Sequence, residues 1–214
     1  IVNADLRFEV FPGAADVLAV SAFFKQFQDP IEAIILGGSS NDLITYTNAK
    51  SARVLGMELE AKKGLGFLSP ALADFSPLAN LTLSTSRVAL NPALGIQTSD
   101  VRPLVGQSPL VVNVGLDYTN EGTGTRARLV YNVSAPRIRA AGSNNLLDTY
   151  EQPRHLLDAA IAQRIGKHVD LKLTIENILQ SPYRVTFGQE NKDEAVVEER
   201  QLGTSFNLGV TVTN

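Results

Sequence analysis

Residues 204–214 read TSFNLGVTVTN. Phe206, Leu208, Val210 and Val212 alternate with Ser205, Asn207, Gly209, Thr211 and Thr213. In an extended strand a period of two sends the first set to one face and the second to the other. Two settings suit such a strand. In a soluble two-layer sheet the apolar face meets a core and the polar face meets water. In an outer-membrane barrel the apolar face meets lipid and the polar face a wet lumen. The fold turns on which of these holds.

The same period recurs along the chain. ADLRFEVF sets Asp5, Arg7 and Glu9 against Leu6, Phe8 and Val10. DVLAVSAFFKQF sets Ser21 and Lys25 against Leu18, Val20, Ala22 and Phe24. ARVLGMELEAK places Arg53, Glu58, Glu60 and Lys62 on or near one face, opposite Leu55, Met57, Leu59 and Ala61. LANLTLSTS, LVVNVGLDY, TRARLVYNVS, HLLDAAIAQRI and DLKLTIENI continue the alternation. With residues 204–214 they predict about nine strands, several longer than the five or six residues usual in globular sheets. A helical period is absent, and SPALADFSPLA (69–79) is expected to give one short helical turn at most.

The connections are sorted. FPGAAD, TNEGTGT and IGKHVD are short and read as tight turns. GGSSNDLITYTNAKS, NPALGIQTSDVRPLVGQS, APRIRAAGSNNLLDTYEQP and FGQENKDEAVVEERQLG are long and polar, and they alternate with the short ones. KKGLGFLSPALADFSP falls on the short side yet is long. In an antiparallel meander alternate connections share an end of the sheet. Tight turns at one end and long loops at the other describe an outer-membrane barrel; a β-sandwich has no reason to sort its loops. A sandwich would also bury Leu110, Leu173 and Val210 in one dry interior.

Composition removes other classes. The net charge is -3 and no basic tract appears, so no nucleic-acid partner is expected. Cysteine is absent, which excludes disulfides, thiol catalysis and Cys-ligated metals. His155 and His168 are too few and too far apart for a metal site of their own, so no metal or cofactor is expected. No run of 18 apolar residues occurs, and barrel strands need none. A hydrolase triad would need one of the two histidines; Ser134 and Asp158 qualify by identity alone, and no spacing supports them. The chain reads as not an enzyme.

The stretches NADLRFEVFP, FFKQFQDPIE, YTNAKSARVLGMELEAKKGL, LVGQSPLVVNVGLDYTN, ARLVYNVSAPRI and LKLTIENILQSPY, in this order, resemble the final strands of TonB-dependent outer-membrane receptors. Asn48 to Glu60 is similar to the family's N-x-x-x-A-x-x-x-G-x-E-x-E strand, with Gly56, Glu58 and Glu60 in matching positions. Gly106-Gln107-Ser108-Pro109 and Glu176-Asn177-Ile178-Leu179 look like two further family landmarks. The resemblance implies a 22-stranded barrel in the bacterial outer membrane with an N-terminal plug. It imports scarce nutrients by coupling to a TonB-type inner-membrane energising complex. Residues 1–214 would supply the C-terminal nine strands or so. The opening on a strand suggests a fragment or a processed product, with plug and remaining strands supplied by the same protein or a second chain.

Nine strands cannot sit open in lipid, because the edges would leave backbone groups unpaired. The family's assembly signal usually ends in an aromatic residue on the face of Phe206, Leu208, Val210 and Val212; position 214 has that parity, but it is Asn214. Tyr46, Tyr118, Tyr131, Tyr150 and Tyr183 are candidates for the interfacial girdle, since tryptophan is absent. Arg126 and Arg128 face the lumen in this register and are the candidates for steering an anionic ligand; pairing with neighbouring Glu and Asp is the plainer reading. Two alternatives stay open: a structural barrel wall of a multi-chain complex that transports nothing, and a soluble β-sandwich binding module.

Overall fold

The protein is described by a computed structural model covering residues 1–13, 15–37, 43–90, 101–143, 146–189 and 191–213. Asn214 lies outside the described residues. In chain order the strands are β1 (Val2–Val10), β2 (Val17–Gln28), β3 (Ile31–Leu36), β4 (Leu43–Asn48), β5 (Ser51–Lys62), β6 (Phe75–Ala89), β7 (Val101–Arg102) and β8 (Leu110–Asn120). There follow β9 (Thr125–Ser134), β10 (Arg137–Gly142), β11 (Thr149–Glu151), β12 (Leu156–Ile165), β13 (Val169–Glu176), β14 (Tyr183–Phe187), β15 (Val196–Arg200) and β16 (Ser205–Val212).

Nine long strands form an antiparallel wall in the order β1-β2-β5-β6-β8-β9-β12-β13-β16, with the short β7 added to β6. Their registers carry the sequence period across the sheet. One apolar row runs Phe75, Tyr118, Ala127, Ile161, Leu173, Leu208. Another runs Phe8, Val20, Leu59, Leu81, Val112, Val133. The wall strands contain seventeen charged side chains, and fifteen lie on the opposite, polar face. The two exceptions, Arg53 and Arg87, sit on the apolar face. Arg53 was expected on or near the face of Glu58 and Glu60. Its odd parity with Leu55, Met57 and Leu59 puts it across the strand from them.

Among the described residues, no protein lies against the apolar face. Leu208 is 75% exposed and Val210 60%, and Leu110 and Leu173 are only half-buried. Among the described residues no second layer encloses these side chains, which removes the sandwich reading. Among the described residues a strand at each margin of the wall has one partner only, β2 for β1 and β13 for β16.

All four short-side connections leave from one end, the turn end. The long one, residues 63–74, is folded down by two single 3-10 turns, Leu65–Phe67 and Pro70–Leu72. The helical expectation over 69–79 reduces to the second turn, because Phe75 onward pairs with β8.

At the other end, the loop end, the described parts of the long polar connections carry strands of their own. Three of them fold into hairpins that form a second sheet, β15-β14-β11-β10-β3-β4. The β2–β5 ladder continues into β3–β4 in one unbroken register, from Val17↔Lys62 to Leu36↔Leu43. Asp29 (φ 48°) and Pro30 bend this ribbon at the junction. Beyond the bend, β3 pairs in parallel with β10 through Ala141↔Ile34 and Gly142↔Ile35. In the wall, β2 and β9 are separated by β5, β6 and β8. Most of the buried apolar side chains of the described residues gather here, including Ile34, Ile35, Ile138, Ala140 and Val185.

Candidate functional site: the polar face and the loop-end cleft

Many of the charges on the polar face pair with one another. Arg7 donates to Glu9 (2.8 Å) and Glu60 (2.7 Å), and reaches Ser21 at 3.3 Å. Asp117 accepts from Arg128 Nε (2.6 Å) and Nη2 (2.8 Å), and from Lys62 Nζ (2.9 Å). Arg126 lies 3.5 Å from Glu121. Asn132 donates to Asn113 at 2.6 Å. Cross-strand registers set these pairs: Asp117↔Arg128 are directly opposed, where unlike charges stabilise a sheet. Both arginines singled out as ligand candidates thus stand near the turn end, each beside a carboxylate. At that end Asp16 accepts from Lys63 and from the Gly64 N–H (2.9 Å), and these two bonds hold its carboxyl below the usual carboxylate range.

The three sequence landmarks have structural work on this face. A Cβ on Gly56 would lie 2.3 Å from Phe23 Cζ and 2.8 Å from the Leu83 carbonyl, so the Phe23 ring covers a position that only glycine leaves open. Gly106 adopts φ 81°, which glycine tolerates without strain. Next to it Gln107 Nε2 donates to Ser84 Oγ (2.6 Å) and its Oε1 accepts from Ser86 (2.6 Å). Ser108 Oγ bonds the carbonyl of Ala135 at 2.9 Å, so the segment staples β6 to β8 and β9. Asn177 (φ 56°) turns the chain out of β13. Its N–H donates to Asp158 (2.8 Å) and its side chain to the Gly203 carbonyl (2.6 Å). That bond accounts for Asp158. His155 and His168 stand at opposite ends of β12, with His155 Nδ1 2.6 Å from Tyr131 Oη.

At the loop end, alternation gave no warning of one group. Glu32, in β3, and Arg102, in β7, form a two-pronged ion pair with both N–O distances 2.9 Å. Glu32 is 3% exposed and Arg102 7%. The Val105 N–H adds a third bond to Glu32 at 3.0 Å. The pair fastens the bent ribbon to the β6–β8 connection. Beside it lies a cleft of about 510 Å3 lined by Ile31, Tyr46, Val105, Arg137, Arg139 and Glu151, among others. Arg137 is matched to Glu151 in a forked pair (2.8–3.0 Å). Arg139 contacts the Tyr183 hydroxyl (3.2 Å). Of the five tyrosines, Tyr118 and Tyr131 lie on the wall's apolar face and Tyr46, Tyr150 and Tyr183 in the loop-end sheet. Burial pushes the Tyr150 phenol up. Among the described residues no cluster of His, Asp and Glu has the makings of a metal site.

A family model described as "TonB dependent receptor-like, beta-barrel" matches residues 2–178. By structure the chain is similar to the copper transporter OprC, at 18% identity and a TM-score of 0.68, over 99% of this chain and 32% of that one. It is also similar to the unliganded ferric citrate transporter FecA (15% identity, TM-score 0.67, 99% and 31% covered). The outer membrane transporter YddB from Escherichia coli gives 13% identity and a TM-score of 0.64, with 98% and 32% covered. The chain spans about a third of each of these proteins. No curated protein matches it by sequence.

Proposed function

The chain belongs to the TonB-dependent receptor-like β-barrel family, and on that premise we propose that it is the C-terminal barrel segment of an outer-membrane receptor. The receptor imports a scarce nutrient, driven by a TonB-type inner-membrane complex. One observation carries the reading: nine strands in a row confine fifteen of seventeen charges to one face and leave the other uncovered and apolar. A charge at mid-bilayer costs a barrel about 2–4 kcal/mol, so such sorting is what a lipid-facing wall needs. The single-partner margins at β1 and β16 support closure by further strands, as backbone groups in hydrocarbon must be paired. The plug and coupling segment belong to the part of the protein that supplies those strands. The barrel family is an outer-membrane one of Gram-negative bacteria, and we place this chain there with the turn end periplasmic and the loop end outside.

Ligand capture is assigned to the loop end, where the cleft beside Arg137 and Arg139 opens. Arg126 and Arg128, near the turn end with Glu121 and Asp117 beside them, are assigned to stabilising the wall. The test uses the full-length protein that carries this chain. It is expected in the outer-membrane fraction, with gel mobility that changes on heating. Nutrient uptake is expected to stop, with surface binding retained, when the inner-membrane energiser is removed. Recovery as a soluble monomer after osmotic lysis would end the barrel reading. Uptake that persists without the energiser would end the coupled-import reading alone.

A further inference from the structure

The apolar face of the wall carries two charged side chains among the described residues, and they meet. Arg53 in β5 and Arg87 in β6 are direct cross-strand partners, both exposed. Like charges directly opposite destabilise a sheet, and no carboxylate among the described residues pairs with either. Below them on the same face lie Leu55 and Thr85, then Met57 and Leu83, then Leu59 and Leu81. From Arg53 to Ala61 is eight residues, about 26 Å along the strand. At the usual barrel tilt of about 40° it covers about 20 Å of height, most of the roughly 25 Å apolar band of a membrane barrel. The arginines therefore stand at the loop-end margin of the band. The turn-end margin differs: there the same face closes with Asn120, Thr125 and Gln163, where Thr125 donates to Gln163 at 2.6 Å.

We propose that Arg53 and Arg87 together clamp the phosphate of an anionic lipid headgroup in the leaflet at the loop end. The planar guanidinium fork matches phosphate oxygens in pairs, and one anion between two cations turns their repulsion into attraction. The clamp rests on the reading that this face meets lipid. A lipid is the occupant, rather than a free anion, because the pair stands directly above a continuous apolar column that an acyl chain covers.

The experiment takes the full-length protein in detergent micelles doped with phosphatidylglycerol or phosphatidylcholine and counts retained lipids by native mass spectrometry. The wild type is expected to retain phosphatidylglycerol preferentially. In R53Q/R87Q that retention falls about fivefold per arginine, roughly 25-fold in all. R53K/R87K retains part of the preference, and K167Q, in the turn between β12 and β13, retains all of it. Equal retention in R53Q/R87Q overturns the clamp, and displacement by an equal concentration of inorganic phosphate overturns the lipid as its occupant. Heat-dependent gel mobility is read in parallel. If the wild type shows it but no lipid preference, the clamp alone fails; if it is absent, the lipid-facing reading fails as well.

Discussion

The two sheets of this molecule solve the same problem in opposite ways. The nine-stranded wall has hardly any interior: its apolar side chains are largely uncovered by the described residues, and many of its charged side chains pair across the strands. The six-stranded sheet at the loop end has an interior of its own, with Ile34 and Ile35 at 3% exposure, each such burial contributing about 1.5–3 kcal/mol. The wall therefore depends on its medium and the loop-end sheet on its packing. A change that is costly in one region should be mild in the other, and that contrast can be tested.

The sharpest break is in the loop-end sheet. Glu32→Ala leaves Arg102 buried without its partner, and removing one member of a buried pair costs about 3–5 kcal/mol. Hydrogen exchange in 31–36 and 137–142 should accelerate, with the wall's denaturation midpoint unchanged. If both regions lose protection together, they are one cooperative unit. Next in size is Leu173→Arg, which sets a charge on the apolar face between Ile161 and Leu208. It should cost about 2–4 kcal/mol in lipid vesicles, whereas Thr174→Arg, one residue on and facing the other way, should be tolerated. Equal costs would remove the distinction between the faces.

Two smaller tests refine the wall. Gly56→Ala drives a methyl into Phe23 and the Leu83 carbonyl, and overpacking of that kind costs about 1–3 kcal/mol, read as a lowered urea midpoint. The smallest effect is at Asp16. Its folded carboxyl titrates below the ordinary range near 4. Its contribution is therefore complete above that range and is lost as pH falls through the depressed value. Acid titration of stability should show a loss below about pH 4 that Asp16→Asn lacks, while the midpoint near neutrality stays flat.

How much of this was legible follows from the same contrast. The wall could be read because Phe206, Leu208, Val210 and their counterparts face one medium on one side and another on the other, and the period of two survives. The loop-end strands could not. IEAIIL is buried on both faces from Glu32 to Ile35, so its sequence carries no alternation. Glu32 and Arg102 lie 70 residues apart and reveal their pairing only in space. Arg53 was visible as a charge, but its meeting with Arg87 needed the β5–β6 register. Gly106 to Pro109 stood out as a landmark, yet the bonds from Gln107 to Ser84 and Ser86 belong to geometry rather than to spacing. Arg126 and Arg128 share a face with Asp117, as their parity implies; their height on it, near the turn end, emerges only from the β8–β9 register.

The parallel contact between β3 and β10 has a consequence for how the molecule comes together. Ile34 has no partner on that side until Ala141, more than a hundred residues later, has been delivered. Threading strand by strand can therefore complete most of the wall while the outer ribbon still hangs loose. Closing so distant a contact is slow, which makes the latch of the mouth a late event of biogenesis.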